Sequence, residues 1–259
     1  MPALRPLIAG LGLTLLIAAP AAADTIAKAS YVINLGGNIV ASARFDFLEG
    51  NGRYSLSLEA NVSGIAQLIA SGTAKASSAG TASGSGLTSE EFNLFTKSGG
   101  DSFSDRVTYA GGSVTSFVVV PPIVNTIDRI AIERSQLNGV NDMLASFILR
   151  GSKLDRSLCS GREKVFTGVE RFDIAFKYAR DDVATSPRTG YQGPVVLCSV
   201  KYSPISGHYT SSEITKSLAQ DDRILLWYAP LRETGWFIPY RVLLTTSAGD
   251  LSMVLSKLE

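Results

Sequence analysis

Glycine pairs punctuate this sequence at Gly36-Gly37, Gly99-Gly100 and Gly111-Gly112, each between two runs in which apolar and polar residues alternate. That arrangement restricts the fold more than any other feature. A Gly-Gly pair supplies the positive φ values of the tightest hairpin turns. A period of two sends successive side chains to opposite faces of a strand. Ile26, Tyr31, Ile33 and Leu35 lead into the first pair, and Ile39 to Leu48 returns with Phe45 and Phe47 two apart. Gly50-Asn51-Gly52 makes the next turn, after which Tyr54, Leu56, Leu58, Ala60 and Val62 alternate with polar residues. The opening is expected to be an antiparallel meander with one face on a core.

Gly64 to Ile69 breaks the alternation, as a short helical turn or a bend. Residues 70–86 are rich in Ser, Ala, Gly and Thr. Such composition suits a linker. It also suits a pair of strands whose small side chains let another backbone or a ligand come close, and the meanders on both sides favour strands. Phe92, Leu94, Phe103, Val107, Tyr109, Val114, Phe117 and Val119 continue the pattern until Pro121-Pro122, which has no N–H to give a ladder.

Asn138 to Arg150 is expected to hold the one amphipathic helix. Asn141 caps it, Asp142 suits its positive end, and Met143, Leu144, Phe147 and Ile148 fall on one stripe. Gly151 provides a stop. Strands resume over 164–179, 195–202, 224–228, 236–246 and 251–258, with Gly249-Asp250 turning the last hairpin. The expected fold is mainly β: a single strongly curved antiparallel sheet, half-barrel or β-spiral, with one amphipathic helix near residues 141–150.

Residues 1–23 read as a secretory signal peptide. Arg5 precedes an apolar run from Leu7 to Ala19, and Pro20-Ala21-Ala22-Ala23 offers small residues for cleavage before Asp24. The expected location is the periplasm, reached across the inner membrane. About 236 residues then remain, as one β-rich domain over 24–259. No Cys follows the cleavage point, which excludes a lipid anchor built there, and no second stretch of about 18 apolar residues follows to span a membrane. The 24 Lys and Arg nearly balance the 23 Asp and Glu, which argues against a nucleic-acid partner.

Cys159 and Cys198 are the two cysteines. In an oxidising compartment they are expected to form one disulfide, worth roughly 3–4 kcal/mol for a loop of about 40 residues. A zinc site is the rival, but the single His208 cannot complete four ligands with them.

Several landmarks fall in order: Tyr31-Val32 with Gly36-Gly37, then Ser89, Glu90, Glu91 and Phe92, then Asp142-Met143-Leu144-Ala145-Ser146. Gly190 to Cys198 and Ile238-Pro239-Tyr240-Arg241-Val242 follow, before a Gly-turned terminal hairpin. Together, over residues 26–258, they resemble a family of bacterial envelope proteins catalogued as domain of unknown function 3108. The resemblance implies a periplasmic, strongly curved β-sheet with a helix near its concave side, similar in outline to the half-barrels of lipoprotein-carrier proteins. It implies no catalytic residues. A second envelope family, whose members wrap a long antiparallel sheet into a β-spiral with one disulfide, offers the same architecture and a role in envelope integrity.

Chemistry is sparse. His208 sits in the turn Ser206-Gly207-His208-Tyr209, and no G-x-S-x-G elbow occurs. Glu90-Glu91, Asp181-Asp182 and Asp221-Asp222 are adjacent carboxylates, but neighbours on a strand face opposite ways and those in turns face water. No metal or cofactor is expected. Met143, Leu144, Phe147, Ile148, Trp227 and Trp236 are the candidates to line an apolar cavity, with core packing as their other role. The expected function is a non-catalytic periplasmic protein that supports cell-envelope integrity and binds a lipid-like or amphipathic ligand on a concave β surface. An interaction module, docking envelope proteins through strand edges or Pro121-Pro122, is the alternative. A carboxylate-dependent glycan hydrolase is the second alternative.

Overall fold

The computed structural model describes residues 24–64, 71–221, 223–246 and 249–259. The expected signal peptide, most of the break after Val62 and Asp222 lie outside the described residues. The first half is an unbroken run of hairpins: β1 (Asp24–Leu35), β2 (Asn38–Gly50), β3 (Arg53–Val62), β4 (Gly72–Ser83), β5 (Gly86–Ser98), β6 (Asp101–Ala110) and β7 (Ser113–Val120). The glycine pairs make the turns as expected, with φ of +55° and +85° at Gly36-Gly37 and of +57° and +72° at Gly111-Gly112. Segment 72–83 is a strand within the sheet, and its small side chains prove important below.

A crossover of residues 121–148 follows, with 3-10 turns at Arg134–Leu137 and Ala145–Phe147. Then come β8 (Leu149–Arg150), β9 (Arg162–Phe166), β10 (Arg171–Ala184), β11 (Gly193–Ser206), α1 (Glu213–Leu218), β12 (Ile224–Pro230), β13 (Trp236–Thr246) and β14 (Gly249–Leu258). All belong to one 14-stranded sheet except α1, in the order β7-β6-β5-β4-β3-β2-β1-β14-β13-β12-β11-β10-β9, with β8 beside β13. The first and last described strands, β1 and β14, are therefore neighbours at mid-sheet, where Lys28 and Glu259 exchange backbone hydrogen bonds of 2.9 and 2.8 Å. A twisted sheet this wide must curl to cover its apolar face. It remains open, with β7 and β9 as its two edges.

The core forms three clusters. One joins Tyr31, Phe45, Phe47 and Leu56 of the first half to Trp236, Ile238 and Tyr240 of β13. A second fills the space between β10–β13 and the 3-10 turn Arg156–Ser160. It contains the disulfide Cys159–Cys198, whose Cα atoms are 5.4 Å apart. The third joins Phe92, Val107 and Tyr109 to Leu137, Val140 and Phe166.

The helix expected near residues 141–150 is a correction in placement. Asn141, the expected cap, bonds Ser89 and Leu87 instead, and Asp142 accepts from the N–H groups of Leu144 and Ala145 at 2.7 and 2.9 Å. The helical path lasts only over Ala145–Phe147. Leu149 and Arg150 are then claimed by Phe237 and Trp236 of β13, which take the backbone groups that a helix would need. The apolar stripe is also divided: Met143 and Phe147 pack on the second cluster, Leu144 on the first and third, and Ile148 on the first. A segment held on several sides gains more burial from a tight turn than from a regular helix. The α-helix among the described residues is the short α1, whose Ser212 accepts from the N–H of Thr215 at 3.2 Å.

Candidate functional site

The two edges of the sheet meet at a seam. At its upper end the crossover stitches them together. Ser113 of β7 bridges to Asn138, and Val140 donates its N–H to Gly112 O at 2.9 Å. Three residues after Asn138, Asn141 donates to Lys164 O at 2.8 Å and accepts from Phe166 N–H at 3.0 Å on β9. The Tyr109 hydroxyl spans directly to Phe166 O at 3.0 Å, and the Phe117 and Phe166 rings pack edge-on 5.2 Å apart.

Beside this stitch lies a buried polar knot. Asp142 is fully buried, and its carboxylate accepts from the Ser78 hydroxyl at 2.5 Å, from the Ser89 hydroxyl, and from the two capping N–H groups. Asn141 accepts from Ser89 N–H and donates to Leu87 O, at 2.9 and 2.8 Å. The Tyr54 hydroxyl meets Ser78 Oγ at 2.9 Å. Burial pushes the Asp142 carboxyl up, and the hydrogen bonds from Ser78 and Ser89 pull against it. From β4, Ser78 reaches the crossover through its hydroxyl. Every oxygen of the carboxylate has partners and none faces solvent, so the knot locks the crossover and leaves no reacting group exposed.

The lower seam is open. There the crossover and β7 border a groove of about 460 Å³, lined by Phe117, Val119, Pro122, Ile123, Ile130 and Ile132, with Arg129 and Gly168 also on its wall. The groove's far wall is pinned to the end of β11: Ile130 donates to His208 O at 3.0 Å and accepts from Gly207 N–H at 2.8 Å. Arg129 gives one Nη2–H to Val169 O at 2.6 Å, while its buried Nε has no partner. Val124 and Ile127, on the same crossover, are 86% and 83% exposed. The arrangement can take up an apolar body beside a single positive group with hydrogen-bonding capacity to spare.

Behind Gly168 stands Asp105, on a cross-strand row that is otherwise apolar: Ala29, Phe45, Leu58, Ala76, Leu94, Asp105, Val119. It is 3% exposed and neither carboxyl oxygen has a partner. Burial pushes its carboxyl up to about 7. Gly168, with φ +91°, lies over it; a Cβ there would come within 3.0 Å of the Asp105 side chain. Asp105 was absent from the sequence candidates, although its phase with Val107 and Tyr109 placed it on the buried face. Nothing in the local pattern of Arg129 distinguishes it from a surface arginine.

A larger groove of about 610 Å³ crosses the outer face of β3–β7. Its cationic members are already paired, Lys75 with Glu59 at 2.7 Å and Arg106 with Glu91 at 3.7 Å, while the unpartnered Asp105 also lines it. The seam, with an unpaired cationic N–H, is the stronger candidate.

The six proposed cavity residues lie elsewhere. Trp227 and Trp236 pack in the first cluster beside Leu144 and Ile148; Met143 and Phe147 pack against the second. None of the six is among the residues lining the two grooves. Among the acidic pairs, Glu90 holds Arg53 through both oxygens at 2.7 Å, Asp182 accepts from Trp227 Nε1 at 3.0 Å, and Asp221 pairs with Lys201 at 2.8 Å. Among the described residues no group of three or more His, Cys, Asp or Glu could hold a metal ion, and no helix is long and apolar enough to cross a membrane.

Comparison with known proteins agrees with this architecture. A crystal structure of a beta-barrel-like protein of domain of unknown function DUF1849 from Brucella abortus covers 90% of this chain and 96% of its own, with a TM-score of 0.52 at 11% identity. At that identity the likeness concerns the fold alone. No curated protein matches the chain. Residues 30–256 match the family model described as protein of unknown function DUF3108, and the chain belongs to that family.

Proposed function

We propose that this protein serves the cell envelope from the periplasm by holding an amphipathic, lipid-like ligand, without transforming it. The ligand's apolar part lies in the seam between β7 and the crossover. One observation carries this reading: where the sheet fails to close, it leaves an apolar groove of about 460 Å³, a size within the range of small-molecule sites. The core candidates identified from sequence pack in the core clusters and do not line the groove.

The test is titration of delipidated protein with a fluorescent fatty acid. Saturable uptake is expected, and Ile130→Glu, which sets a charge on the groove wall, should abolish it. No saturable uptake by wild type contradicts the reading.

A second reading has its own observation. β7 carries no charged residue, and Val118 and Val120 on it are 60% and 55% exposed. Uncharged sheet edges pair readily with an extended segment of another protein. Crosslinking in the periplasm, with recovery of a stoichiometric protein partner attached to β7 and no lipid, would favour it.

A further inference from the structure

We infer that the ligand of the seam is an anion on an apolar chain, with Arg129 as the counter-charge for its carboxylate or phosphate head. This rests on the reading of the seam as a ligand groove and names the class of ligand it takes.

The argument is one of unmet demand. Arg129 lines the groove, is half-buried, and has no ion-pair partner among the described residues. Val169 O takes one of its N–H groups, and the Nε–H is shielded from solvent with nothing to bond. A half-buried guanidinium with a shielded N–H left without an acceptor and no opposite charge beside it is under-satisfied, and an anionic oxygen on its planar fork supplies the charge and acceptors it lacks. The nearest carboxylate in sequence cannot serve. Asp128 turns to the far side, where it accepts from the Thr210 hydroxyl and from Ser211 N–H at 2.8 Å. The remaining lining is Phe117, Val119, Pro122, Ile123, Ile130 and Ile132 with the small Ala131 and Gly168, and one hydroxyl from Thr126. The groove thus presents one cationic side chain in an otherwise apolar lining, the complement of a chain bearing one anionic head.

The experiment uses the delipidated full chain and three probes with identical saturated chains: a carboxylate, a primary alcohol and a quaternary ammonium. Inorganic phosphate and acetate serve as competitors. The carboxylate is expected to bind at least about tenfold more tightly than the alcohol, with the ammonium weakest. Arg129→Gln should remove that preference, so that carboxylate and alcohol then bind alike, and a melting temperature within a few degrees of wild type shows that the variant is folded. If the carboxylate and alcohol bind alike in wild type, the inference fails while the groove reading stands. If no probe binds, the groove reading fails and takes the inference with it. If free phosphate or acetate binds as tightly as the chain-bearing carboxylate, the site is one for a free anion and the inference is overturned.

Discussion

The Asp142 carboxylate accepts the Ser78 hydroxyl at 2.5 Å across 64 residues of sequence. That bond, with those from Ser89 and the capping N–H groups of Leu144 and Ala145, fastens the crossover to the middle of the first-half sheet. The crossover in turn stitches β7 to β9. The upper seam is thereby shut, and the lower seam is left as the opening.

Removing the acceptor should be costly. Asp142→Ala strands two hydroxyls and two N–H groups in a site closed to water, and a loss of roughly 3–5 kcal/mol is expected. Asp142→Asn keeps the shape and one acceptor oxygen and should lose less. Urea midpoints of the two variants, set against Ser78→Ala, check the ranking.

The disulfide ties the 3-10 turn at Arg156–Ser160 to β11. Cys159→Ser with Cys198→Ser should lower stability by roughly 3–4 kcal/mol. At about 2–4 °C per kcal/mol for a chain of this size, the melting temperature should fall by about 10 °C. Reductant should reproduce the drop in wild type and leave the double variant unmoved.

Asp105 gives stability a pH slope. Its carboxyl titrates near 3.9 in the unfolded chain and is pushed up to about 7 by burial in the fold. The folded state therefore holds the proton more tightly. Its contribution is complete below about pH 4, declines as pH rises, and is lost once pH passes about 7. Asp105→Asn, which is always neutral, should match wild type at about pH 4 and exceed it at about pH 8. Melting curves of both proteins across that interval check the sign; a wild type that gains on the variant as pH rises would refute it.

Much of the fold was legible because its signals are local. Gly36-Gly37, Gly99-Gly100 and Gly111-Gly112 need positive φ wherever they sit, so they mark hairpins without tertiary knowledge. The small residues of 72–83 were readable as a place of close approach, and at Gly80 the backbone of β5 at Thr88 comes so near that a Cβ would not fit. The cysteine pairing followed from there being two. The segment Asp142–Arg150 misled because capping residues and an apolar stripe are helix signals only when one face is buried; here the apolar side chains go to different clusters and β13 claims the end. α1 had no apolar stripe to announce it: Ile214 is exposed and none of its residues is buried. The seam was invisible for a different reason. Arg129 and Phe117 line one groove because the crossover folds back along β7 and is pinned at Ile130 to Gly207 and His208, and no periodicity along the chain encodes that path.

The most direct measurement is photocrosslinking of the delipidated protein with a fatty acid carrying a diazirine near the end of its chain, followed by peptide mapping. The bound chain should label peptides spanning Phe117 to Ile132, with labelling suppressed by excess unmodified fatty acid. Saturable labelling confined instead to peptides bearing Trp227 or Trp236, or labelling that excess ligand does not suppress, would contradict the account.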